Sequence, residues 1–236
     1  MTSIRIAPNN PVFDLPVIVG IEEGLFVKAG LDVSFSGSYA DREQDGAQTP
    51  VLARLKEQLF ECGSAESYIV VQELTGSHYT TLQMLESAVG REHVRIENSG
   101  LPQERWAGLK SGAHRAVTVM EPFISLGLKE GAHVIASCFY RGGEVVAAEL
   151  TGEQRKAYYD AENAAVDLIN ADFYKYAHHV TAHAKGALQP RELLRAFVRY
   201  KHVDYYDPEL FNRAYEWMKA RGMTEGQSQH AALIVG

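Results

Sequence analysis

The sequence predicts an α/β protein: a largely parallel sheet built from βαβ units, followed by a helical tail. Two observations carry this. Short apolar, β-branched runs alternate with segments of helical spacing from Ile4 to Ser137, and beyond about residue 150 only helical patterns remain. A third bounds it: 236 residues with 46% hydrophobic content can bury the core of one large domain or of two small lobes.

The elements follow in order. Ile4 to Ala7 reads as a short strand, and Pro8-Asn9-Asn10-Pro11 as a loop. Asp14 is the expected N-cap of a helix from Leu15 to Ala29, with Pro16 in its first turn, where a missing N–H costs nothing. Ile18, Ile21 and Leu25 would form its buried face, and Gly30 would end it. Leu31 to Phe35 alternates like a half-buried strand, Ser36 to Thr49 is polar loop, Pro50 to Phe60 is helical, and Tyr68 to Val71 is a compact strand. Gly76-Ser77 opens a helix with Leu82, Leu85 and Val89 on one face. Strands follow at His93 to Ile96, Ala116 to Met120 and His133 to Ser137, with helices at Pro102 to Lys110 and Pro122 to Lys129. In the tail, Thr151-Gly152-Glu153-Gln154 has the capping-box pattern and opens a helix that should bury Tyr158, Ala161, Ala165, Leu168 and Ile169. Pro190 starts another helix, and Asp207-Pro208 caps a third that ends at Arg221-Gly222.

A net charge of -7, without blocks of like charge, argues against a nucleic-acid backbone as partner. No apolar run approaches the roughly 18 residues that would span a bilayer, so no membrane insertion is expected. No basic segment followed by a long apolar stretch precedes the first strand. The chain as written therefore reads as cytoplasmic, or as periplasmic if a leader has been removed. Two cysteines, Cys62 and Cys138, lie far apart in no metal-like spacing, and both read as buried structural thiols. His179 and His183 are four apart but lack the glutamate of a zinc helix, so no metal is expected. Gly-x-Gly-x-x-Gly, Walker and Gly-x-Ser-x-Gly patterns are missing, and no cofactor is expected.

Ser77 can cap its helix, whose unpaired N–H groups would then attract a carboxylate or sulfonate. His78 beside that helix start would have a lowered pKa and a neutral ring, which makes it the candidate acid–base or ligand-bonding group. Glu121 stands where a strand meets its helix, placed either to cap the Pro122 helix or to meet a cationic group.

With these elements in order, the chain resembles the NMT1/THI5-like substrate-binding proteins, the solute receptors of ABC importers for sulfonates, taurine, nitrate and thiamine-precursor pyrimidines. The likeness rests on the run from Leu15 to Val33 with Gly24-Leu25-Phe26 and Gly30-Leu31-Asp32-Val33. It rests also on the Gly76-Ser77-His78-Tyr79 turn, on Leu109-Lys110-Ser111-Gly112 followed by Val117 to Pro122, and on the closing Tyr215-Glu216-Trp217-Met218 and Gly222-Met223. It covers most of residues 4 to 223. It implies a type II periplasmic-binding-protein-like fold of two βα lobes: 1–72 as lobe 1, 73–150 as lobe 2, and 151–236 as helices packing back on both. Family members are longer, and little chain separates Val71 from Gly76, so the first lobe is expected to be shortened.

In such a fold, ligands sit in the crevice outside the carboxyl ends of the strands. Asn9, Asn10, Phe13, Asp14, Ser38, Tyr39, Ser64, Gly76, Ser77, His78, Tyr79 and Glu121 are therefore the expected ligand-binding residues. The amides and hydroxyls would supply hydrogen bonds, and Phe13, Tyr39 and Tyr79 the aromatic walls. The resemblance implies a small organic ligand and the membrane subunits of an ABC importer as partners. Enzymes on this scaffold use a cysteine-rich motif or a thiol in the first loop, and this sequence has neither. The alternative is a cytoplasmic lyase- or hydrolase-type enzyme acting on a small aromatic or thiamine-precursor-like substrate, with His78 as acid–base group and Cys62 or Glu121 assisting.

Overall fold

The computed structural model describes residues 1–38, 69–71, 76–86, 90, 94, 96–98, 100–139, 149–204, 206–224 and 229–233. The expected helix at Pro50 to Phe60 and the residues Tyr39, Cys62 and Ser64 lie outside the described residues. Two parallel sheets organise the chain. In the first, β1 (Thr2–Ile6) pairs in parallel with β2 (Leu31–Phe35), in register from Thr2 opposite Leu31 to Ile6 opposite Phe35. The crossover is helical, as a parallel pair requires.

That crossover differs from the sequence expectation. Helix α1 runs Pro11–Glu22, and its cap is Asn10, extended at φ −156° and ψ 138°, whose side-chain oxygen accepts the Val12 N–H at 3.0 Å. Pro11 occupies the first position, where no N–H is needed. Asp14 lies inside the first turn instead of capping it, and the Asn9 N–H donates to its carboxylate at 2.6 Å. A negative group there complements the helix dipole. The helix stops at Gly24, left-handed at φ 66°, before the short α2 (Leu25–Lys28), and Gly30 at φ 78° leads into β2. The inward face is Leu15 and Val19 with Val17, while Ile21 is 37% exposed. Because α1 is apolar nearly all round, its spacing does not by itself define which side is covered.

In the second sheet, β3 (Ile69–Val71) is central, between β4 (Ile96–Asn98) and β5 (Ala116–Val117), all parallel. The strand expected to close the first lobe thus belongs to the sheet of the second. A three-residue β-branched strand fits the middle of any parallel sheet, and its partners are set by the βα units that follow it. Helix α3 (Gly76–Glu86) connects β3 to β4, and α4 (Pro102–Ser111) connects β4 to β5. β4 begins three residues later than expected, Val94 being buried before the ladder starts. After α5 (Phe123–Lys129), residues 133–137 form no strand. Val134 and Ile135 are 43% and 77% exposed, an apolar run with no ladder partner among the described residues.

The tail agrees with its caps. In α6 (Gly152–Ala171) the Thr151 hydroxyl accepts the Gln154 N–H at 3.2 Å, and the Gln154 side chain accepts the Thr151 N–H at 2.9 Å. Tyr158, Ala161, Ala165 and Ile169 are buried, but Leu168 is 37% exposed on the outer side. Helix α7 (Phe173–Thr181) follows, then a strap of single 3-10 turns at Ala182–Ala184, Pro190–Glu192 and Arg195–Phe197, so Pro190 opens one turn and no helix. Asp207 caps α8 (Pro208–Lys219), and α9 (His230–Leu233) lies near the end of the chain.

The largest core cluster joins Leu15 and Val19 of α1, Trp106 of α4, Phe123 and Leu126 of α5, Ala165 and Ile169 of α6, and Tyr176 and Val180 of α7 with Leu193 and Val198 of the strap. A second cluster packs Phe26 on Tyr158, ring centroids 5.1 Å apart, over Leu31 and Val33. A third holds Leu82, Val94 and Ile96, with Trp217 and Met223 against it.

Candidate functional site

The second sheet has a switch point. From central β3 the chain crosses outward to β4, then returns past β3 to β5, so the strand order reverses between β3 and β5. A crevice outside the carboxyl ends of the strands there is where ligands sit in open α/β sheets. Helix α3 comes after the carboxyl end of β3, and Thr118 to Glu121 come after that of β5.

Ser77 lies in the first turn of α3, so it does not cap that helix. Its carbonyl accepts the Thr81 hydroxyl at 2.6 Å and, at 3.4 Å, the Thr80 hydroxyl. Thr81 also meets the Thr118 hydroxyl at 2.6 Å. A hydroxyl has one proton, and the carbonyl can only accept, so Thr81 donates to Ser77 and Thr118 donates to Thr81. Arg105, fully buried at 0% exposure, donates through Nε to the Thr118 carbonyl at 2.8 Å and through Nη1 to the Gly100 carbonyl.

His78 is 7% exposed, and burial lowers its pKa, so the neutral ring expected from the helix dipole is found with desolvation as its cause. Cys138 is at the surface, not a buried structural thiol. Partial burial raises its pKa, against a hydrogen bond from Thr80 that lowers it, and a raised pKa makes a poor nucleophile. Tyr79 is no aromatic wall of a free crevice. Its ring meets Trp217 of α8 edge-on at 5.0 Å, and its hydroxyl accepts from Gln83 at 2.8 Å. Burial, first of all, raises its pKa.

Glu121 is 2% exposed. One carboxylate oxygen accepts the Ser125 N–H at 3.1 Å and the other the Ser125 hydroxyl at 2.7 Å, so it holds the first turn of α5. The same hydroxyl accepts the Leu194 N–H at 2.9 Å, tying the strap to α5. Burial raises the Glu121 pKa, and the Ser125 bonds oppose it. A carboxylate so engaged is a structural cap more than an assisting acid.

The start of α1 arrives at the same place through Tyr200, which the sequence reading missed. Its hydroxyl donates to the Val12 carbonyl at 2.7 Å. Its pKa is pushed far up, first by burial, with Arg195 lowering it and the Glu121 and Asp14 carboxylates raising it further. Loops from the carboxyl ends of β1 and β5 thus lie within electrostatic reach of one phenol. The donors of α1 are largely spent: Val12 on the Asn10 side chain, and Phe13 and Asp14 on the Asn10 carbonyl at 2.8 and 2.9 Å. Among the described residues the Asn10 side chain is engaged only through its oxygen, and Phe13 is 38% exposed. Thr118 had one visible signal, a lone hydroxyl inside the apolar run from Ala116 to Met120. Arg105 had another, falling between Leu101 and Leu109 on an apolar helical stripe.

Elsewhere, His179 pairs with Glu22 at 2.9 Å, and no group of three metal-binding side chains occurs among the described residues. No helix among them is long and apolar enough to cross a membrane.

This architecture, two parallel βα units bridged by a helical tail, is a periplasmic-binding-protein fold. It matches the solved structure of the alkanesulfonate-binding protein SsuA from Xanthomonas axonopodis pv. citri bound to MOPS, with a TM-score of 0.66 over 99% of this chain and 98% of that one. The two sequences are 13% identical, so the likeness defines the fold. No family model and no curated protein sequence matches the chain.

Proposed function

We propose that this protein binds a small organic molecule non-covalently in the crevice between the β1 and β5 carboxyl ends, as the solute receptor of an ABC importer does. The observation that carries this reading is the convergence of the Val12 carbonyl, Asp14 and Glu121 on Tyr200 beside the switch point of the second sheet. The sequence resemblance and the MOPS-bound structural neighbour together favour a sulfonate, with an aromatic acid or a heteroaromatic molecule in the same size class. Asn10 through its side-chain NH2, His78 and Thr80 near the start of α3, and Phe13 are the side chains assigned to it. Asn9, Ser38, Gly76 and Ser77 border the same ends of strands or helix, and the importer's membrane subunits are the assigned partner.

Calorimetric titration of the purified chain with MOPS, taurine and benzoate tests this. We expect saturable one-to-one binding of a sulfonate, weakened about tenfold or more by Asn10→Ala, the loss of roughly one charge-assisted hydrogen bond. No binding across the panel, together with a native mass spectrum free of any small adduct, sinks the reading. Chemical conversion of the bound molecule that His78→Ala abolishes would establish the enzyme instead.

A further inference from the structure

We infer that Arg105 and Thr118 are positioning residues that hold the crevice in its binding shape, a role that rests on the proposed ligand reading. The buried Arg105 guanidinium joins the carbonyl after β4, at Gly100, to the carbonyl after β5, at Thr118. The Thr118 hydroxyl then donates to Thr81, and Thr81 to the Ser77 carbonyl in the first turn of α3. One chain of hydrogen bonds therefore links α4, both strand-end segments and the helix carrying His78 and Thr80.

The chemistry requires an arginine. Only a planar fork with several N–H donors serves two carbonyls facing it from different segments, and a lysine ammonium cannot span both with the same geometry. Arg105 has no surface from which to draw water, so its hydrogen bonds hold at the strength of a desolvated site. β5 has two residues in the ladder, so Thr118 to Met120 run on without pairing among the described residues. Their placement depends on side chains, and Arg105 and Thr81 supply them. Preorganising a site in this way raises affinity by removing the cost of ordering it on binding.

The test compares Arg105→Lys, Thr118→Val and Thr118→Ser in the full chain. Thr118→Val keeps the shape and loses the donor, and Thr118→Ser keeps the donor. Amide hydrogen exchange of the ligand-free protein is read at Gly100 and at Thr118 to Met120, with α6 as internal reference, and MOPS affinity is titrated in parallel. We expect Arg105→Lys and Thr118→Val to speed exchange at those two segments and leave α6 unchanged. We also expect them to weaken MOPS about tenfold, with Thr118→Ser close to the parent in both readouts. Unchanged exchange in Arg105→Lys and Thr118→Val overturns the inference, as does a Thr118→Ser variant as impaired as Thr118→Val. If the parent chain does not bind MOPS, the sulfonate reading fails separately, and the exchange pattern alone decides the network.

Discussion

Glu121 shows how a single residue joins fold and pH. Burial raises its pKa above the value it has in the unfolded chain, and the two Ser125 hydrogen bonds only partly oppose that. Between the two values the unfolded chain has released a proton that the folded chain retains. The contribution to stability is therefore complete below the unfolded value and is lost as pH rises through the folded one. Glu121→Gln keeps the shape and removes the titration. Its melting temperature relative to the parent should rise from acid pH toward neutral, starting in the ordinary glutamate range. Thermal scans at a series of pH values check this, and a pH-independent difference would show that burial does not govern this carboxyl. At this scale the sequence was legible in part. His78 and Glu121 stood out as isolated ionisable groups at element boundaries. Tyr200 did not, because nothing local marks a tyrosine in a polar stretch as one that reaches Val12, 188 positions away.

Among the elements, α1 carries the most exposed expectations. Removing its cap by Asn10→Ala should cost about 1 kcal/mol, the usual worth of an Asn cap. Gly20→Ala should cost more. A Cβ there would stand 2.5 Å from Cε2 of Phe26, a ring 1% exposed and stacked on Tyr158, so one helix or the other must shift. Overpacking of this kind costs roughly 1–3 kcal/mol, and at about 2–4 °C per kcal/mol for a chain of this size it is readable in a thermal melt. A Gly20→Ala variant as stable as the parent would mean that Phe26 has room to move. The caps at Thr151 and Asp207 could be read directly, because each is a short side chain followed by a uniform helical pattern. The start of α1 could not: two prolines and two asparagines precede Asp14, and several frames satisfy the same rules. The apolar run at 133–137 misled for the complementary reason, since alternation describes a strand only where a neighbour completes its hydrogen bonds.

For the whole molecule, the distribution of cores decides how it comes apart. The parallel βα alternation and the helical tail were plain in the sequence. Which sheet β3 joins was not, since register and partner are long-range choices. The result is one large core under both βα units and a smaller one around Leu82, Val94 and Ile96. That smaller core is closed by α8, which has no fully buried residue. It rests on Trp217, edge-on to Tyr79 and covered by the Arg221 guanidinium, which in turn makes a close bidentate pair with Glu86. A unit with so little buried apolar surface opens at a lower free energy than the main core. The chain has two tryptophans, Trp106 in the large core and Trp217 in the small one. In urea, fluorescence of a Trp106→Phe variant, which reports Trp217, should therefore change at lower denaturant than that of Trp217→Phe, which reports Trp106, with far-ultraviolet circular dichroism following the latter. Arg221→Ala should widen the gap by removing the pair that fastens α8 to α3. Coincident midpoints in both single-tryptophan variants would instead make the two cores one cooperative unit. The helix carrying His78 would then be as firmly held as Trp106.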